Sequence, residues 1–238
     1  MKLGDTVPNF KFSTNLGSYE QLYSTIPDGS WLMIFSHPAD FTPVCTTELA
    51  ELLKRADEFK ARNVHIFAIS IDSAEAHRNW AKDIWGYLKR NEQGAAGDAV
   101  ESDLPFEIIA DVDRSINVAL GMIDPDEINC QGIALSARAV MLFGPDKKLK
   151  SKILYPATFG RNFDEILRMI DGVQLATTAP LATPVNWIPG QPVIAQPGLK
   201  TEEVIEKLCG GDNSNLKIVP LPSGKEYLRI VSGDNYKK

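Results

Sequence analysis

The chain has 238 residues, 25 basic and 31 acidic side chains for a net charge of −6, and three cysteines. That length can bury a sizeable core, as one large domain or as a main domain of about 150 residues with a smaller appendage. Lys and Arg are dispersed rather than clustered, which removes the electrostatic case for nucleic acid or an anionic membrane as partner, and no stretch approaches the ~18 apolar residues of a membrane span.

The opening "MKLGDTVPNF" lacks the apolar run of a signal peptide, so a cytoplasmic protein is expected. Cys45, Cys130 and Cys209 are odd in number, far apart and without a C-x-x-C pair. Neither a disulfide scaffold nor a zinc site follows from that pattern, and no metal or cofactor is expected.

In chain order, "WLMIF" (31 to 35) and "VHIFAISI" (64 to 71) are apolar runs of strand length, both buried on two faces. Between them, "TTELAELLKRADEFKARN" places Leu49, Leu52, Leu53, Ala56 and Phe59 at helical spacing with charges on the other face, which makes a β-α-β unit. A second helix is expected over roughly Ala74 to Leu88, then an exposed polar loop without functional role, "RNEQGAAGDAVESDLP" (90 to 105), and a strand "FEIIA" (106 to 110). "RAVMLF" (138 to 143), the turn "GPDKK" and "LKSKILY" (149 to 155) read as a hairpin, followed by the helix "NFDEILRMIDGVQLA". Alternating elements followed by a hairpin and a closing helix predict an α/β fold with a mixed, helix-covered sheet.

From about Ala176 the chain changes character. "TTAPLATPVNWIPGQPVIAQPG" carries five prolines and little periodicity, followed by a short helix "TEEVIEKLC" and two strand-like pieces around "KIVPLPSGKEYLRIV". This reads as a small C-terminal domain, residues 171 to 238, joined through an extended arm to a main domain over residues 1 to 170; such arms often pack across a partner subunit.

Cys45 follows the strand "WLMIF" through the turn "SHPADFTPV" and opens the amphipathic helix. In the first turn of a helix, unpaired N–H groups and the dipole favour an anion, and the thiolate is the nucleophilic form of cysteine. Pro43 suits a helix start, with its φ preset and no N–H needed. The Thr42 hydroxyl, three residues before Cys45, can cap the helix or reach a ligand at the sulfur.

The spacing P-x-x-x-T-x-x-C, present as Pro38, Thr42 and Cys45, resembles the active-site signature of the peroxiredoxins, thioredoxin-fold enzymes that reduce hydroperoxides. The wider string "SHPADFTPVCTTEL" is similar to their 1-Cys subgroup, of the peroxiredoxin-6 type. So are "ISIDS" (69 to 73), "FGPDKKLK" (143 to 150), "ILYPATFGRNFDEILR" (153 to 168), "ATPVNW" (182 to 187) and "LPSGKEYLR" (221 to 229). The resemblance runs nearly end to end.

It implies that Cys45 is the peroxidatic thiolate, oxidised by a hydroperoxide to a sulfenic acid. Thr42 and Arg138 would be the donors at the reacting oxygens, and Pro38 would shield the site. His37, Glu48 and Arg161 would stand behind them. A negative Glu48 beside a thiolate would oppose it, so its useful role is to orient arginines. By residue type alone, Arg138 could equally be a solvated strand-edge residue, and Glu48 and Arg161 surface ions.

The V-C-P motif of two-cysteine relatives is missing, so an external thiol, glutathione or thioredoxin-like, is expected to regenerate Cys45, with Cys130 and Cys209 incidental. A homodimer is the assembly the resemblance implies. Two other functions compete with this one. Some relatives hydrolyse phospholipids through a Ser-His-Asp set; Ser30 and Asp146 have the matching places, but "DGSWL" departs from the G-x-S-x-G elbow and no histidine stands where one is needed. A holdase chaperone would have no use for Thr42, Cys45 and Arg138 together.

Overall fold

In the computed structural model, residues 1–93 and 103–232 are described, so most of the polar loop expected at 90 to 105 lies outside the described residues. Two short paired strands, β1 (Phe12–Ser13) and β2 (Ser18–Tyr19), come first. The main elements follow as β3 (Trp31–Ser36), α1 (Pro43–Lys54), α2 (Ala56–Ala61), β4 (Val64–Ser70), α3 (Ala74–Gln93), β5 (Glu107–Ala110) and α4 (Ser115–Leu120). A hairpin of β6 (Ile123–Ile128) and β7 (Ala134–Ser136) precedes β8 (Arg138–Phe143), β9 (Leu149–Tyr155) and α5 (Phe163–Thr178).

The central sheet has the order β5-β4-β3-β8-β9. Its first three strands run parallel, and β8 and β9 are antiparallel to their neighbours, so the sheet is mixed as the sequence predicts. Every residue of β3 is buried, as its apolar run requires for a strand covered on both faces. Alternation then sends Leu32 and Ile34 into a cluster with Phe67, Ile69, Met141 and Phe143, while Phe35 meets Phe59 and Phe163 on the other face. Each large apolar side chain so buried contributes about 1.5–3 kcal/mol.

The helix expected between β3 and β4 is broken in two. Arg55 (φ −102°, ψ 9°) leaves helical geometry between α1 and α2, and its guanidinium pairs with Glu58 at 2.7 Å. Leu49, Leu52, Leu53 and Phe59 are nonetheless all buried. Sequence reading missed α4 and the β6–β7 hairpin, whose polar strand "IDPDEI" has no alternation to signal it.

The chain divides into two compact units, Met1–Phe163 and Asp164–Lys238. In the second, the stretch expected to be an extended arm supplies two short strands, β10 (Leu181–Ala182) and β11 (Val193–Ala195). With α6 (Thr201–Leu208), β12 (Leu216–Ile218) and β13 (Arg229–Val231) they build an antiparallel sheet of order β10-β11-β13-β12 over a core that includes Trp187, Val204, Leu208 and Cys209.

Candidate active site

Cys45 lies where the sequence places it, in the first turn of α1, fully buried, with Pro43 opening the helix. The first intrahelical bond of this turn runs from the Thr46 N–H to the Thr42 carbonyl at 3.0 Å, which leaves the N–H groups of Val44 and Cys45 ahead of the ladder. Of the two uses that spacing leaves open for Thr42, capping is absent: its hydroxyl donates to the Ala39 carbonyl at 2.9 Å. The turn before it is tight. Phe41 takes φ 54°, a left-handed conformation that costs a bulky residue roughly 1 kcal/mol or more. Pro38 is buried in the same segment.

A buried ionic cluster meets the sulfur. Arg138, at the start of β8, points one Nη1–H at Cys45 Sγ (3.3 Å) and at Glu48 Oε2 (2.8 Å), while Nε and Nη2 donate to the Ala157 carbonyl at 2.8 and 2.6 Å. This is no solvated strand edge, because Arg138 is only 3% exposed. Arg161 grips the same carboxylate through its backbone N–H (2.7 Å), Nε (3.1 Å) and Nη2 (2.8 Å), and its Nη1 donates to the carbonyls of Ser36 and Ala139. Burial by itself would raise the Glu48 carboxyl; the charge and hydrogen bonds of Arg161, joined by Arg138, outweigh it and hold Glu48 below the ordinary carboxylate range.

The charges then decide what the site can do. Two guanidiniums and one carboxylate leave one positive charge uncompensated, and it sits 3.3 Å from Sγ. Buried charge without a partner is costly, so the cluster leaves the space around the sulfur electropositive. Glu48 accepts from both arginines at once, and its single charge does not cancel the two guanidiniums.

His37 is buried beside Trp80 (rings 5.1 Å apart) and pairs through Nε2 with Asp40 Oδ1 at 2.9 Å. Sequence reading missed two members of this group, Asp40 and His77. The first of them had a signal: His37 and Asp40 are three residues apart in a turn, close enough to pair. His77 came from a helix face with nothing to distinguish it. His37, Asp40 and Asp72 place potential ligand atoms within 4.8 Å of one another, but His37 Nε2 and both Asp40 oxygens are already hydrogen-bonded among the three side chains His37, Asp40 and His77, so the cluster fits a proton network rather than a metal centre.

Cys130 is exposed in the β6–β7 turn, and Cys209 is buried in the C-terminal unit, where burial and then Asp212 push its thiol up. Ser30 donates to Asn63 Oδ1 at 2.8 Å, and Asp146 is held by Lys150 at 2.7 Å. His65 lines the same cavity of about 510 Å³ as Ser30, but no hydrogen bond joins the two. A serine whose proton goes to an amide oxygen is not activated. Ser30→Ala is accordingly expected to leave any phospholipid hydrolysis unchanged, and labelling of Ser30 by a serine-directed fluorophosphonate would contradict this.

The AhpC/TSA family model matches residues 3–152, and the model for the C-terminal domain of 1-Cys peroxiredoxin matches residues 172–211. A 1-Cys peroxiredoxin of Dirofilaria immitis is 48% identical, over 97% of this chain and 96% of its own length; peroxiredoxin-6 of Rattus norvegicus is 49% identical over 96% of each. Among solved structures, a cysteine-to-serine mutant of peroxiredoxin 6 from Arenicola marina superposes with a TM-score of 0.86 at 41% identity, covering 98% of both chains. A yeast mitochondrial 1-Cys peroxiredoxin, whose thiol resolving mechanism runs via glutathione/thioredoxin systems, superposes with a TM-score of 0.81 at 33% identity over 98% of this chain and 100% of its own. The thioredoxin-like fold, the end-to-end similarity and the match of both family models agree: the chain belongs to the AhpC/TSA family and, within it, to the 1-Cys peroxiredoxins, which are thiol-dependent peroxidases.

Proposed function

We propose that Cys45 is the peroxidatic residue of this peroxidase, with Arg138 and Thr42 acting at the reacting oxygens, Pro38 shielding the site, and Glu48, Arg161 and His37 positioning them. The observation that carries the reading is the uncompensated positive charge at Arg138, 3.3 Å from Sγ. The sulfur lone pair attacks one peroxide oxygen; the S–O bond forms as the O–O bond breaks, and the leaving oxygen takes up a proton to become alcohol or water. Arg138 Nη1–H and the first-turn N–H groups of α1 are fixed in advance where that negative charge develops. A first thiol then converts the sulfenic acid to a mixed disulfide with loss of water. A second thiol releases Cys45 and leaves as the disulfide of the reductant.

The reductant in this reading is an external thiol, glutathione or thioredoxin-like, as in the yeast relative. Cys209 suits a resolving role poorly: it is buried and its thiol is pushed up, so little of it is the attacking thiolate. Single Cys130→Ser and Cys209→Ser variants should keep peroxide turnover with dithiothreitol as reductant. Loss of turnover in either would make that cysteine the resolving residue.

A homodimer is the proposed assembly. Support comes from β9, which pairs with β8 alone among the named strands and leaves Leu154 and nearby Phe159 exposed. A reducing compartment such as the cytoplasm suits three cysteines of which none is in a disulfide, and no described helix is long and apolar enough to cross a membrane. Peroxidatic chemistry is assigned to about residues 1 to 170, with residues 171 to 238 as an accessory domain.

A further inference from the structure

Asp40 is a buried carboxylate held between two buried histidines. Its Oδ1 lies 2.9 Å from His37 Nε2, and its Oδ2 lies 2.6 Å from His77 Nδ1. Both imidazoles are fully inaccessible to solvent. The other nitrogen of His77, Nε2, is 3.2 Å from the Ile109 carbonyl oxygen. A carbonyl only accepts, so Nε2 carries a proton, and a bare Nδ1 lone pair cannot sit at 2.6 Å from a carboxylate oxygen. The His77–Asp40 pair therefore holds one proton more than a neutral ring beside an ionised acid.

With that proton between His77 and Oδ2, Oδ1 is an acceptor and His37 Nε2 must donate to it. His37 Nδ1 is left as a lone pair. It is one of three buried side-chain polar atoms without a partner among the described residues, the others being His65 Nε2 and Arg229 Nε, and it alone lies in the segment that leads from β3 to Cys45. The segment is also strained at Phe41 (φ 54°), and such strain persists only where surrounding contacts over-determine it. The contacts here are the two histidine bonds and the Asp40 N–H donating to Asp72 Oδ2 at 2.8 Å.

Resting on the peroxidase reading above, we propose that Asp40 and His77 are positioning residues of the reaction: they fix His37 in its Nε2–H tautomer and clamp residues 37–42 against α3 and β5. The overall oxidation is Cys45–SH plus R′OOH giving Cys45–SOH plus R′OH. Sulfur gives up two electrons and the O–O bond accepts them, and the proton that leaves sulfur is matched by one that must reach the leaving oxygen. A bare Nδ1 can hold that proton in between, whereas the opposite tautomer would present an N–H and refuse it. The groups facing His37 and Asp40 agree with this assignment. Burial, with the charges of His77 and Arg161, lowers His37 against the pull of Asp40, which keeps the ring neutral at neutral pH. Burial raises Asp40, but the hydrogen bonds from His37 and His77 outweigh it and keep it ionised. Ser70 and Asp72 complete the surroundings, the Ser70 hydroxyl donating to Asp72 at 2.8 Å.

Nitrogen-15 NMR of the histidine rings in the reduced, full-length protein tests the tautomer directly. The proposal expects His37 protonated at Nε2 alone; a proton on Nδ1 overturns it. Stopped-flow oxidation of Cys45 by hydrogen peroxide tests the consequence. His77→Leu removes one donor from Asp40 and drives it towards its protonated form, which donates to His37 Nε2 and moves the ring proton to Nδ1. The rate relative to the unmodified protein should fall by roughly 10-fold near neutral pH and further as pH drops from about 8 to about 6. A ratio that stays flat across that range marks packing alone and overturns the proposal. Asp40→Asn, whose amide oxygen accepts from His37 while its NH₂ donates to a neutral His77, should recover most of the rate lost in Asp40→Leu; equal losses in the two also overturn it. If the unmodified protein itself formed no Cys45 sulfenic acid, the peroxidase reading would fall and this inference with it. Normal oxidation there, with unaffected variants, removes this inference alone.

Discussion

A Cys45→Ser protein is expected to fold and to reduce no hydroperoxide. The oxygen of serine replaces a sulfur that is fully buried at the start of α1, and the Arg138 Nη1–H that now points at Sγ can donate to a hydroxyl instead, so neither volume nor hydrogen bonding is seriously disturbed. A stability change within about 1–2 kcal/mol is the expectation for such a swap. The chemistry is lost entirely, because the serine hydroxyl does not ionise near neutral pH and cannot reach the sulfenic state. Peroxide consumption with dithiothreitol, measured beside the circular dichroism of the same sample, separates the two effects. Turnover near that of the unmodified protein would place the reacting group elsewhere.

The second large effect belongs to Arg138. Arg138→Met keeps a long apolar stem in a buried site but removes the guanidinium, and with it the charge that the Glu48–Arg161 pair leaves over. Glu48 remains satisfied, since Arg161 still gives it two side-chain bonds and a backbone N–H, so folding should survive. Cys45 oxidation should slow by at least ~100-fold, the usual loss on removing one fixed electrostatic donor. Alkylation of Cys45 by iodoacetamide reports the anionic sulfur without any leaving peroxide oxygen, and it should slow by a smaller factor. The excess in the oxidation rate measures what Arg138 does for the leaving oxygen. Equal rates for Arg138→Met and the unmodified protein in both assays would make this arginine purely structural.

Much of this architecture is legible in the amino-acid sequence. The strands at the centre of the sheet, β3, β4 and β8, announce themselves as short apolar runs, because a strand covered on both faces has little room for polar residues, while the edge strand β9, with Lys150, Ser151 and Lys152, is legible as the second arm of a hairpin after the turn "GPDKK". Cys45 follows from a local rule, the thiol in the first turn of a helix opened by proline. The partners of that thiol are not legible from local rules. Arg138 lies 93 residues from Cys45 and Arg161 lies 113 residues from Glu48, and nothing in "SARAV" or "GRNFDE" says that these arginines are buried; only the family resemblance puts them at the site. Asp40 and His77 have neither help. Their pairing across 37 residues depends on α3 packing beside the β3–α1 turn, which is tertiary information. The short strands β10 and β11 are hidden for a different reason: two- and three-residue strands among five prolines carry too few residues to show alternation.

The central claim, that Cys45 is the thiol a hydroperoxide oxidises, is tested most directly by mass spectrometry of the reduced protein after one equivalent of hydrogen peroxide, with dimedone present to trap sulfenic acid. The account predicts one dimedone adduct, confined to the peptide that carries Cys45, with Cys130 and Cys209 unmodified despite the exposure of Cys130. An adduct that formed first on Cys130 or Cys209, or no adduct on Cys45 while peroxide was consumed, would contradict it.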